Sequence, residues 1–187
     1  DGFKFIQPWN SLVYHLTGRG AGSFGGDKER HEQWKKDMDK STMEYVRKWG
    51  SYVKHEPLMK PIVLPKYDIG IILEHNDIGW LRALEPWCSN IYCDSNLRNH
   101  FITTDQLNTG FNLSKRVLPI NNEKNNEILV TINERFNQQD FDYVRQLSEI
   151  LADSGEPAFH GELGNLTVEI FETMNIYEND LIICKKQ

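Results

Sequence analysis

Asp68-Ile69-Gly70-Ile71-Ile72-Leu73-Glu74-His75-Asn76-Asp77 decides the fold. An apolar run of five residues, rich in isoleucine and without alternation, predicts a strand buried on both faces. It runs into a polar tip, Glu74 to Asp77, and Asp is a residue whose carboxylate caps helices by accepting backbone N–H groups. Ile78, Trp80, Leu81 and Leu84 follow at helical spacing, and Pro86 closes the segment. Ser89-Asn90-Ile91-Tyr92-Cys93 reads as a second strand, ending in Asp94. Strand, helix and strand at this distance form a compact βαβ unit with two parallel strands. The predicted class is therefore α/β, with a mixed sheet containing this unit.

Toward the C-terminus, His100-Phe101-Ile102-Thr103 is expected to add a short strand and 121–126 a polar turn region. Residues 127–133 alternate toward Ile128, Val130 and Ile132, which predicts a half-buried strand. Residues 138–153 place Phe141, Val144, Leu147, Ile150 and Leu151 on one helical face, with Gly155 as the stop. Leu166, Val168 and Ile170 alternate within 163–171, and the glycine after Leu163 marks a hairpin or a bulge. Leu181-Ile182-Ile183 is expected to be a last strand.

Toward the N-terminus, Pro57, Pro61 and Pro65 argue against regular structure in 51–66, which reads as a linker or a surface strap. Before it, Trp34, Met38, Tyr45, Val46 and Trp49 recur at helical spacing from Lys28 onward, with Asp27 as the cap and Gly50 as the stop. That stripe is expected to face a core. Before this long helix lies a glycine-rich loop, and before the loop an apolar, strand-like run from Phe3 to Tyr14. The expected organisation is a segment at 1–50, a linker at 51–66 and an α/β domain at 67–187.

The glycine-rich loop carries the first candidate chemistry. Val13-Tyr14-His15-Leu16-Thr17-Gly18-Arg19-Gly20-Ala21-Gly22 delivers a histidine to a strand end and sets Arg19 among glycines. An imidazole, a fork-shaped cation and close-approach backbone suit a phosphate or metal-phosphate group. The same residues also suit a strand followed by a solvated surface loop.

Pro8-Trp9-Asn10-Ser11-Leu12-Val13-Tyr14-His15-Leu16-Thr17-Gly18-Arg19-Gly20, with Gly2-Phe3-Lys4 before it and Arg47-Lys48-Trp49-Gly50 after it, resembles the C-terminal end of the catalytic region of family 2 glycosyltransferases, particularly those of phage and marine microbes. The resemblance covers about the first third of the chain. It implies that His15 completes the coordination of a divalent metal, Mn or Mg, bridging the diphosphate of a nucleotide sugar. Arg19, with Gly18 and Gly20, would contact the same phosphates. The family's acidic Asp-x-Asp pair and its carboxylate base lie upstream of the Tyr-His strand, and Asp1 is the only acid before His15 here. The expectation is a part of a longer glycosyltransferase, inactive alone, with no catalytic residue identified.

The stretch from Asp68 to Asp94 is similar to the opening βαβ of a nucleotide-diphospho-sugar transferase domain. That likeness implies that His75, Asn76 and Asp94 hold the base and ribose of the nucleotide. No glycine-rich dinucleotide fingerprint follows Leu73, which counts against NAD. The implied partners are a nucleotide sugar and a glycan or other hydroxyl acceptor. The alternatives are a non-catalytic binding or oligomerisation module, associating through the Trp34–Trp49 face, and a small nucleotide-binding α/β domain.

Composition narrows the classes. A net charge of -6 argues against generic nucleic-acid binding. No apolar run reaches the length of a membrane span. Three cysteines, an odd number with no Cys-x-x-Cys pair, point to reduced thiols and a cytoplasmic setting.

Overall fold

A computed structural model describes residues 28–62, 64–154 and 159–171. His15, Gly18, Arg19 and Gly20 lie outside the described residues, as do the Phe3–Tyr14 run, the Asp27 cap and Leu181-Ile182-Ile183. Contacts divide the chain into two compact units, 1–39 and 40–187. The division falls inside the first helix, α1 (Lys28–Trp49).

In the second unit a small antiparallel hairpin follows α1, made of β1 (Lys54–His55) and β2 (Pro61–Ile62). Then come β3 (Ile69–Leu73), α2 (Ile78–Leu84), β4 (Asn90–Cys93), α3 (Ser95–Asp105), α4 (Leu113–Arg116), β5 (Val117–Pro119) and β6 (Ile128–Ile132). The long α5 (Gln138–Ser154) and the hairpin β7 (Phe159–Leu163) and β8 (Leu166–Ile170) complete it. Six strands form one mixed sheet in the order β5-β4-β3-β6-β8-β7. The first four are parallel, and β8 is antiparallel to both its neighbours. The expected βαβ is present: β3 and β4 are adjacent and parallel, with Ile71 level with Ile91.

Register explains where the core sits. On one face Ile71 lies beside Ile91 and Val130, and Val130 beside Val168. These residues are buried with Leu81 and Leu84 of α2, Phe101 of α3 and Leu147 of α5 in a single apolar cluster. Each such side chain contributes about 1.5–3 kcal/mol on burial. The other face is mixed: Gly70 stands beside Asn90 and Leu129, and Leu129 beside Glu169, which faces His160. His160 Nδ1 lies 3.1 Å from Glu169 Oε1 there.

The amino ends of the parallel strands are tied down by polar bonds. Tyr92 donates to Asn126 Oδ1 (2.8 Å), and Asn126 Nδ2 donates to Asp68 Oδ1 (2.7 Å) and Asn90 Oδ1 (3.0 Å). Gly70 makes room for this network, since a Cβ there would stand 2.4 Å from Asn126 Oδ1. Nearby, the fully buried Glu85 holds two guanidinium groups: Arg47 Nη2 at 2.7 Å and Arg116 Nε at 2.5 Å. Arg116 Nη2 also donates to Cys88 O (2.6 Å). The end of α1 is thereby fixed to the turn after α2 and to the start of β5.

Four expectations need correcting. Residues 100–103 are helix, within α3, because Asp94 caps it and Thr103 and Thr104 donate to the carbonyls of Asn99 and His100 instead of breaking the turn. The stretch 51–66 carries regular structure, the β1–β2 hairpin, whose turn is closed by Met59 at φ 63 and a Glu56 N–H bond to Lys60 O (2.8 Å). β6 is buried on both faces for most of its length, since Leu129 is buried on one face and Ile128, Val130 and Ile132 join the core cluster on the other. Of the expected core face of α1 only Val46 is buried, while Met38 is 48% and Tyr45 38% exposed. Gly50 does end α1, at φ 79 and with its N–H on Val46 O (2.7 Å), and Lys66 Nζ takes the Arg47 and Lys48 carbonyls.

Candidate functional site at the carboxyl tips of β3 and β4

Strand order reverses beside β3. From β3 the chain steps outward through β4 to β5, then returns to place β6 on the other side of β3. In open α/β sheets, ligands bind outside the carboxyl ends of the strands at such a switch point. The carboxyl tips of β3 and β4 lead into Glu74-His75-Asn76-Asp77 and Asp94. The fold thus brings three of the sequence-predicted residues, His75, Asn76 and Asp94, to the same edge of two adjacent strands.

Each tip is shaped by a cap. Asp77 Oδ1 accepts from Gly79 N (2.7 Å) and Trp80 N (3.0 Å), starting α2. The Asp77 N–H in turn bonds His75 O (3.1 Å), which fixes the turn that carries His75. Asp94 Oδ1 accepts from Asn96 N (2.8 Å) and Leu97 N (3.3 Å), starting α3. Its second oxygen, Oδ2, has no hydrogen bond among the described residues. Glu74 and Asn76 are exposed, and His75 and Asp94 are half-buried. The Glu74 N–H bonds Ile132 O (3.1 Å), extending the β3–β6 ladder to the tip.

An aromatic wall, which sequence reasoning missed, borders the switch point. Trp80, in the first turn of α2, meets Phe136 edge-on at 4.7 Å and lies 5.9 Å from Phe141. Phe136 follows the end of β6, so this wall bridges the β3 and β6 sides. The signal for it was Phe136, an apolar residue four positions past an apolar strand.

Over β6 itself the edge is closed. Asn133 Nδ2 donates to Asn165 O (3.3 Å), and Asn165 gives its N–H and its amide to the two oxygens of Asp140 (3.0 Å each). Burial pushes the Asp140 carboxyl up, but those donors and the Asn137 N–H outweigh it and hold it below the ordinary value. Gly164 at φ 64 makes the turn between β7 and β8, against Asp140.

The polar groups on offer at the two tips are hydrogen-bond donors and acceptors. Among the described residues no group of three His, Cys, Asp or Glu could hold a metal ion. A divalent metal therefore has no fitting set of ligands there, and its one named candidate, His15, lies outside them. Cys88 and Cys93 are free and buried, and burial pushes their thiols up to about 12 and about 11. Protonated thiols at neutral pH are neither nucleophiles nor ligands. Among the described residues no helix is long and apolar enough to cross a membrane. No protein-family model, curated protein or solved structure matches the chain.

Proposed function

We propose that the chain binds a nucleotide over the carboxyl tips of β3 and β4, as the nucleotide-holding part of a sugar-transferring enzyme. The reversal of strand order between β4-β3 and β6 is the observation that supports this reading most. Asp94 Oδ2 is suited to accept hydrogen bonds from ribose hydroxyls, and His75 and Asn76 to read the base. Trp80, only partly buried and backed by Phe136, is suited to border a flat ring. Separately, the resemblance of the first third of the chain to family 2 glycosyltransferases implies phosphate contacts at Arg19, Gly18 and Gly20 and Mn or Mg at His15, residues that lie outside the described ones. The acceptor in that reading is a glycan or another hydroxyl compound.

Titration calorimetry of the chain with a panel of nucleoside diphosphates tests the proposal. At least one is expected to bind, and Asp94→Ala to weaken it about tenfold by removing a charge-assisted bond. The same change should lower stability by only about 1 kcal/mol through loss of the cap. Binding unaltered by Asp94→Ala, or no binding by any nucleotide, would contradict the reading.

A second reading, self-association along α1, draws on the exposed Tyr45 side chain. Loss of association in Trp34→Ala with Trp49→Ala, measured by sedimentation, would support it over a strict monomer.

A further inference from the structure

Among the described residues, two buried side-chain nitrogens have no hydrogen-bond partner: Arg145 Nε and His75 Nδ1. Arg145 is accounted for by its surroundings. Its guanidinium lies 5.3 Å from the Tyr52 ring and 6.0 Å from those of Trp87 and Phe141, where ring faces stand in for acceptors. His75 has no such ring contact among the described residues, and it stands at the tip of β3, beside the switch point.

The placement of His75 fixes its hydrogen. Imidazole in its neutral form carries one N–H and one lone pair. An N–H at Nδ1 would be a buried donor with no acceptor, and such orphans are rarer than under-used acceptors. In the neutral ring the arrangement without a stranded buried donor has the hydrogen on Nε2, which is not among the buried unpartnered atoms of the described residues. His75 so placed presents one outward N–H donor at the tip of β3.

The surroundings select what that donor meets. Glu74, Asp77 and Asp94 carry three carboxylates on the same two strand tips, which disfavours an anionic acceptor. We propose that His75 Nε2–H is a specificity-determining donor to an uncharged carbonyl oxygen, that of a nucleobase. This rests on the nucleotide reading above. The ligand class it names is a nucleoside whose base carries an exocyclic carbonyl, as uridine, cytidine and guanosine do and adenosine does not.

Two measurements on the full chain test it. Two-bond proton–nitrogen correlation spectra of the histidines, at neutral pH and without ligand, are expected to show His75 with its hydrogen on Nε2. A hydrogen on Nδ1 would overturn the proposal. Calorimetry with the four nucleosides is expected to favour a carbonyl-bearing one over adenosine by about tenfold, the worth of one hydrogen bond. His75→Gln, whose amide nitrogen reaches the place of Nε2, should keep that preference. His75→Asn, which reaches only the place of Nδ1, should lose it. Equal loss in both variants, or adenosine binding as well as the others, would overturn the donor role while leaving the nucleotide reading in place. Failure of all four nucleosides and of every nucleoside diphosphate would overturn the nucleotide reading itself. Thermal unfolding of both variants confirms that each is folded before its binding is compared.

Discussion

The two ends of the parallel strands are built differently. At the amino ends, Asp68, Asn90 and Tyr92 each bond Asn126, and Glu85 binds Arg47 and Arg116 out of water. At the carboxyl tips of β3 and β4, Glu74 and Asn76 are exposed, Asp94 has one oxygen unbonded among the described residues, and His75 holds a buried nitrogen without a partner. Closed networks fix geometry, and removing one member leaves the others stranded. Open polar groups add little to stability and are available to a ligand. The contrast locates closed, stabilising networks at one end of the sheet and open polar groups at the other.

The largest effect should come from the closed end. Glu85→Ala leaves two largely buried guanidinium groups without their carboxylate, and a stability loss of about 3–5 kcal/mol is expected by urea unfolding. A loss below about 1 kcal/mol would show that water reaches those groups. Gly70→Ala comes next. Its Cβ would meet Asn126 at 2.4 Å and Leu129 Cδ2 at 2.8 Å, so the network must shift, at about 2–3 kcal/mol. An unchanged midpoint would mean that Asn126 moves freely and the network is loose.

Acid provides a smaller and broader test. The Arg82 hydrogen bonds hold the Asp105 carboxyl below the ordinary 3.8, against burial and with help from Thr104 and Asn108. Asp140 is likewise held below 3.8, its burial outweighed by Asn165 and Asn137. Both folded-state values are lower than the unfolded ones. Their contribution is therefore full above about pH 5 and is lost as the pH falls through the folded values, below 3.8. Unfolding midpoints should be flat from neutral pH down to about 5 and drop below about 4. A drop already between pH 7 and 5 would assign the acid response to other groups.

Much of the fold was legible because local and long-range signals agreed. Asp77 caps the helix that its position implied, and Ile69–Leu73 is the short apolar strand expected, set between β4 and β6. Where the two signals disagreed, tertiary context won. Ile102-Thr103-Thr104 favours a strand locally, yet the Asp94 cap and the burial of Phe101 make it helix. β5 went unread because it is three residues long and ends in Pro119 at a sheet edge. The candidate site was legible as strand tips, through His75, Asn76 and Asp94. Its counterpart was not: Asn126 sits in an apparent polar turn, and its partners Asp68, Asn90 and Tyr92 are 58, 36 and 34 positions away. The unpartnered Nδ1 of His75 was equally invisible, since burial of a single atom depends on packing from distant residues.

The most direct test is a map of amide shift changes across the nitrogen-labelled chain on adding the tightest-binding nucleoside diphosphate. The account predicts changes centred on Glu74 to Trp80 and on Asp94 to Leu97, with Asp68, Gly70, Asn90 and Asn126 silent. Changes centred on Asp68, Asn90 and Asn126 instead would contradict it.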